Sequence, residues 1–244
     1  PIYLREIYIK LMERFAEFSK NSEAEHLKVD MGSIYNMFKN SISNVVNKQQ
    51  GEEIQLNKLL ELQAAFIKFC VHTFPDKINY VDEIMQISVT LCGKVRPAEY
   101  TEEVLDSIVQ ILIHPLETMS IVVLNLAQYP KLMGYLPFAK RKTVSLKIVE
   151  AVISSKTYLI NTDILNKLVG FILPLIEEQE DSILPNQQEL ETELGLVSKL
   201  LGFVHSHNPL VTFDMLKIFD LKFKKLPSEW RKLLLPSLLT YYCK

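Results

Sequence analysis

Hydrophobic positions along this chain recur every three or four residues and are interrupted by polar or proline-bearing tracts, a pattern that predicts helices joined by short connections. Leu4, Ile7, Leu11, Phe15 and Phe18 share one face of a first helix, which ends in the polar residues Lys20, Asn21 and Ser22. Ile34, Phe38, Ile42 and Val45 mark a second helix, closed by a polar tract over 47–53. A third begins near Ile54 and carries Leu56, Leu59, Leu60, Phe66, Ile67 and Cys70 up to Pro75, which cannot continue it. A fourth runs to about Cys92, with Asp76 or Asn79 as its cap, Asp82 adding a carboxylate near the positive end of the dipole, and Gly93 as its C-terminal stop. Pro97 permits a restart, and Thr101 caps a fifth helix with the inward stripe Val104, Leu105, Ile108, Ile111 and Leu112. His114 and Pro115 are expected to end it, before a short apolar helix over 117–126 and a corner over 129–137 that contains two prolines and Gly134. Further helices are predicted over 140–155, 162–178, 187–205, 209–223 and 227–242, with Asn208 and Pro209 forming a clear start signal.

Read in pairs, these segments make about twelve helices in about six hairpins, near the spacing of roughly 40 to 47 residues seen in HEAT and armadillo repeats. Around the central hairpin, 66–92, each helix carries apolar residues over more of its surface than one partner can cover. Such a unit needs similar units stacked on both sides. The expected fold is therefore all-α, a HEAT/armadillo-like α-α superhelix running as a single segment over 1–244. Because the chain opens at Pro1 and its last residues, Tyr241 to Lys244, close on an apolar helix without a polar terminal cap, it is expected to be a solenoid segment cut from a longer protein.

Composition narrows the function. The 244 residues are 48% hydrophobic and 23% charged with a formal net charge of -2, so the totals carry no nucleic-acid footprint. Glycine, at 7 residues, is too scarce for a turn-rich β fold. Cys70, Cys92 and Cys243 lack paired spacing and fit buried thiols in the reducing cytosol. No signal peptide opens the chain, because Arg5, Glu6 and Lys10 interrupt its only early apolar run. The most apolar window, 111–130, is broken by His114, Pro115 and Glu117 into pieces shorter than the ~20 residues a membrane span needs.

Catalytic motifs are missing. Gly93-Lys94 lacks the upstream glycine and following hydroxyl of a phosphate loop, and neither GxGxxG nor HExxH occurs. Cys70, His72 and Cys92 could approach one another as a zinc site in a helical enzyme domain, but without the close cysteine pair of a strong metal signal they read as core residues. His205 and His207 straddle a helix end, where imidazole interacts favourably with the dipole. Two basic groups could meet an anionic membrane or an acidic partner: Lys140, Arg141 and Lys142, and a looser set in the last hairpin that includes Lys217, Lys222, Lys224, Lys225, Arg231 and Lys232. A solvated helix face balanced by acids elsewhere is the simpler account of both. Trp230 is a core ring or a partner anchor, and the acidic stretch Glu177, Glu178, Glu180 and Asp181 is an exposed linker. No catalytic residue, metal or cofactor is assigned.

One turn is specific enough to compare. FPDKINYVDEIMQ, with Pro75, Asp76, Lys77, Tyr80, Val81 and Asp82, resembles the Pro-Asp-basic-x-x-Tyr-Val-Asp turn in the large α-solenoid subunit of retromer, the vacuolar protein sorting-associated protein 35 family. LMERFAEFSKNS, the helix from Ile34, His114-Pro115-Leu116, and stretches within 140–163, 194–208 and 233–241 follow the same family pattern, with the acidic insertion shortened at 177–189. The resemblance implies a non-enzymatic cytosolic scaffold on endosomal membranes that supports retrograde sorting of cargo. It also implies arrestin-like and phosphoesterase-fold subunits, sorting nexins and cargo tails as partners, no nucleic acid, and membrane association only through the complex. Pro1-Ile2-Tyr3-Leu4 is a partial echo of the family's arrestin-binding motif in a different context, so that site is not assigned. A scaffold of another trafficking or nuclear-transport complex would read the same outside the one turn.

Overall fold

A computed structural model describes residues 7, 9–14, 17, 31–48, 56–74, 76–119, 127–154, 199, 202, 205–206, 228 and 231–232. Among these, all regular structure is helical: α1 (Met31–Lys48), α2 (Leu56–Thr73), α3 (Ile78–Cys92), a 3-10 turn (Pro97–Glu99), α4 (Glu102–Met119), α5 (Tyr129–Gly134) and α6 (Phe138–Ser154). The chain forms two compact units, Pro1–Lys140 and Arg141–Lys244.

In the first unit the packing order is the informative feature. α2 lies against its sequence neighbour α3 and, more extensively, against α4, while α3 touches both α1 and α5. Contacts between alternate helices are what stacked hairpins require, since each helix of a pair sits on its counterpart in the next pair. This unit is therefore built as an α-solenoid. α2 is its most enclosed helix. Leu56, Leu59, Leu60, Leu62, Gln63, Ala64, Phe66, Ile67, Phe69, Cys70 and Val71 are all buried, which wraps most of the helix surface in neighbours. α3 instead buries the single stripe Val81, Ile84, Met85, Ser88, Leu91 and Cys92. Each fully buried aliphatic side chain in these stripes contributes roughly 1.5 to 3 kcal/mol of transfer free energy.

Several boundaries differ from the sequence expectation. α4 does not end at His114 and Pro115 but continues to Met119 with Pro115 inside it. Proline removes one backbone donor from the ladder, yet Pro115 and Leu116 are buried, and tertiary packing holds the helix past the break. The 120–126 part of the expected apolar helix lies outside the described residues. Within 129–137 the chain forms the short helix α5 rather than an open corner, with Pro130 accommodated in its first turn. The stripe expected in the first helix also departs from simple burial. Met12 is 0% exposed, whereas Ile7 is 52% and Leu11 41% exposed.

Other expectations hold. Thr101 caps α4, its hydroxyl oxygen accepting from the Val104 N–H at 3.5 Å and its carbonyl from the Leu105 N–H at 3.1 Å. Val104, Ile108, Ile111 and Leu112 are buried as a stripe, and Leu105 is half-buried at its margin. Gly93 follows the last residue of α3 with φ -65, a right-handed conformation open to any residue. His205 and Ser206 are helical. The acidic stretch at 177–189, Trp230 and His207 lie outside the described residues.

Candidate functional site

The loop between α2 and α3 is only four residues, Phe74 to Lys77, so the two helices are drawn into a hairpin at once. Backbone hydrogen bonds close it, Phe74 N–H to the Cys70 carbonyl at 2.8 Å and Lys77 N–H to the Phe74 carbonyl at 2.9 Å. The residue that caps α3 is Lys77, without a side-chain cap bond. Asp76 precedes the cap, and Asn79 already lies inside the helix, so neither takes the capping role expected of it. Asp76 and Lys77 are exposed at the tip.

Around this turn stands an aromatic cluster drawn from three helices. Tyr80 stacks on Tyr35 of α1 with ring centroids 3.8 Å apart and planes 9° from parallel, and it meets Phe74 edge-on at 5.3 Å. Tyr35 also stacks on Phe66 at 5.5 Å, and Phe38 meets Phe66 and Phe69 edge-on at 5.9 and 5.7 Å. Aromatic pairs of these geometries contribute about 0.5 to 1.5 kcal/mol each beyond buried area.

A charged group is built into the rim of the cluster. The Tyr35 hydroxyl donates to the Glu83 carboxylate at 2.7 Å, and the Lys39 ammonium donates to the same oxygen. Burial pushes the Glu83 carboxyl up, but the hydrogen bonds from Lys39 and Tyr35 outweigh it and hold the group below its ordinary value. Burial and the adjacent Glu83 raise the Tyr35 phenol, which stays a donor. On the other side of α3, Asp82 accepts from the backbone N–H of Gln128, the residue leading into α5, at 3.3 Å. Val81, between them, is 0% exposed in the hairpin core.

The three residues weighed as zinc ligands are placed differently from one another. Cys70 and Cys92 are free, fully buried thiols. Burial raises both, Cys92 to about 12. His72 is half-buried and lines a cleft of about 380 Å³ with Met12, Glu13, Glu17, Lys68 and Phe69. Among the described residues no three histidine, cysteine or acidic side chains gather closely enough to hold a metal ion.

Of the basic residues, Lys140 reaches Glu102 at 2.6 Å and also pairs with Asp106, which raises its ammonium pKa. Arg141 and Lys142 are half-buried, Arg231 and Lys232 are exposed on a helix, and Lys217, Lys222, Lys224 and Lys225 lie outside the described residues. Among the described residues no helix is long and apolar enough to cross a membrane.

The Tyr35–Glu83–Lys39 group was not legible beforehand, because Glu83 lies 48 and 44 residues from Tyr35 and Lys39 in the chain. The local traces are that Tyr35 and Lys39 stand four apart on one helix, and Tyr80 and Glu83 three apart on another, which puts each pair on one side.

Hairpins stacked in alternate contact, with an aromatic cluster at their turn, define an α-solenoid. Residues 2–244 match the family model described as vacuolar protein sorting-associated protein 35, and the chain belongs to that family. It is 24% identical over 224 residues to vacuolar protein sorting-associated protein 35A of Arabidopsis thaliana, covering 88% of this chain and 27% of the relative. It is 25% identical over 185 residues to vacuolar protein sorting-associated protein 35 of Dictyostelium discoideum, covering 72% of this chain and 22% of the relative. The chain thus spans about a quarter of the length of the curated relatives it matches.

Proposed function

We propose that these residues form part of the α-solenoid scaffold of a retromer-type coat, a non-enzymatic subunit on the cytosolic face of endosomes that supports retrograde sorting of membrane cargo. The observation that carries this reading is the family match over residues 2–244, on a chain whose first unit stacks its hairpins in alternate contact. The mechanism is geometric. Paired helices bury a continuous core, and the stack holds loops and grooves at fixed spacing for other subunits.

The same reading takes 1–244 as one stretch of solenoid between partner sites and makes the arrestin-like and phosphoesterase-fold subunits its direct companions, with sorting nexins and cargo tails more distant. Membrane association then runs through the complex. Within it, Lys140, Arg141, Lys142, Lys224 and Lys225 are the basic residues that would face an acidic partner, and Lys140 also pairs with Glu102 and Asp106.

Affinity purification of the full-length protein tests the proposal. Co-recovery of an arrestin-like and a phosphoesterase-fold subunit in stoichiometric amount is expected. Recovery of nuclear-transport or clathrin-adaptor components in their place would overturn it.

A further inference from the structure

Four consecutive residues of α3 face three different directions. At 100° per residue, the buried stripe of Val81, Ile84, Met85 and Ser88 occupies one side of the helix. Tyr80 and Glu83 flank one edge of that stripe, and Asp82 lies beyond the other. The contacts follow this division. Tyr80 and Glu83 reach back to Tyr35 and Lys39 of α1, by ring stacking at 3.8 Å and by hydrogen bonds to one carboxylate. Asp82 reaches forward to the Gln128 N–H at the start of α5. Val81, between them, is 0% exposed.

We propose that Tyr80, Asp82 and Glu83 form a two-sided register clamp, in which one turn of α3 fixes the stacking of its hairpin on α1 behind it and on α5 ahead of it through two separate joints. A solenoid needs such a device because apolar stripes alone leave neighbouring helices free to slide and rotate with little change in buried area, whereas hydrogen bonds and ring stacking are directional. α5 packs against both α3 and α4, and on the α4 side the Tyr129 hydroxyl donates to the Leu112 carbonyl at 2.9 Å. The Asp82 bond supplies the directional contact on the α3 side, so that same short helix is fixed by a hydrogen bond to each of its two neighbours. The inference concerns the fold itself and does not depend on which complex the scaffold serves.

Hydrogen–deuterium exchange on the full-length protein tests it, using the near-isosteric variants Asp82→Asn and Glu83→Gln with Asp76→Asn at the exposed turn as control. Loss of one directional bond should speed local exchange about fivefold. Asp82→Asn is expected to act on peptides covering 127–134 and to leave 31–48 unchanged. Glu83→Gln is expected to do the reverse, and Asp76→Asn to do neither. A third variant, Tyr80→Leu, should reproduce the Glu83→Gln pattern more strongly. If both variants loosen both regions, if either region responds to the opposite variant, or if neither region responds at all, the two-joint clamp is wrong.

Discussion

Tyr35 and Tyr80, 45 residues apart in the chain, stack nearly parallel with centroids 3.8 Å apart, and the Tyr35 hydroxyl lies 3.5 Å from the Tyr80 backbone carbonyl. One ring pair thus joins α1 to the hairpin of α2 and α3. The same Tyr35 donates to Glu83, so a stacking contact and a charge-assisted hydrogen bond share one side chain.

Replacing Tyr80 with alanine should be costly, because it removes the stack on Tyr35 and the edge contact with Phe74 together. A loss of about 2 to 4 kcal/mol is expected, at the lower part of the range for buried aromatics because Tyr80 keeps some exposure. Urea denaturation of the purified protein measures it, and an unchanged midpoint would show the ring to be idle.

Val81→Asp places a carboxylate at a position with 0% exposure. The expected result is loss of cooperative melting or a destabilisation of about 3 to 5 kcal/mol, as for an uncompensated buried charge. Val81→Ile, which keeps the apolar contact, should melt within a few degrees of the parent. Thermal unfolding followed by circular dichroism separates the two.

Glu83 gives a pH signature. The folded chain binds its proton less readily than the unfolded chain, so the stabilisation is full above the unfolded carboxylate value of about 4.3 and is lost as pH falls through the lower folded value. Stability should therefore drop below about pH 4.3 more steeply in the parent than in Glu83→Gln. Parallel slopes in denaturation series from pH 6 to 3 would contradict this.

His114 acts in a higher window. Burial lowers its imidazole against the opposing pull of Glu117, and Lys68 and His72 add to the lowering. The folded state again disfavours the proton, so the contribution is complete above the unfolded value of about 6.5 and declines as pH falls below it. His114→Gln should flatten the stability profile below about pH 6.5, as read by the same denaturation series.

The thiols make the simplest test. Cys70 and Cys92 are buried, and burial raises both, so thiolate is scarce at neutral pH. A maleimide reagent should leave both unmodified in the native protein and label both in guanidinium, with peptide mass mapping as the readout. Native labelling at either position would show an opening that reaches the core of the hairpin.

Much of the local architecture was legible in advance, for reasons particular residues make plain. Leu56, Leu59, Leu60, Phe66, Ile67 and Cys70 recur at helical spacing and are all buried, and Thr101 caps α4 by bonds reaching only three and four residues along the chain. The misjudged boundaries were those where distant packing overrode a local signal. Pro115 is a breaker in isolation, but it is itself buried, with Leu116, inside a helix that runs on to Met119. Asp76 and Asn79 are good caps by type, yet α3 begins at Ile78, which puts Lys77 at the capping position.

By itself the chain's order of residues determined that it would be helical, where the main hairpin would turn, and which stripes would be apolar, since these depend on interactions within a turn or two of helix. Tertiary structure alone decided which stripe meets which. Tyr35 finds Tyr80, Lys39 finds Glu83, and Asp82 finds Gln128 because stacking brings α1, α3 and α5 together across more than forty residues of chain. No periodicity records such distances, since burial is satisfied by any apolar partner and only packed geometry selects one.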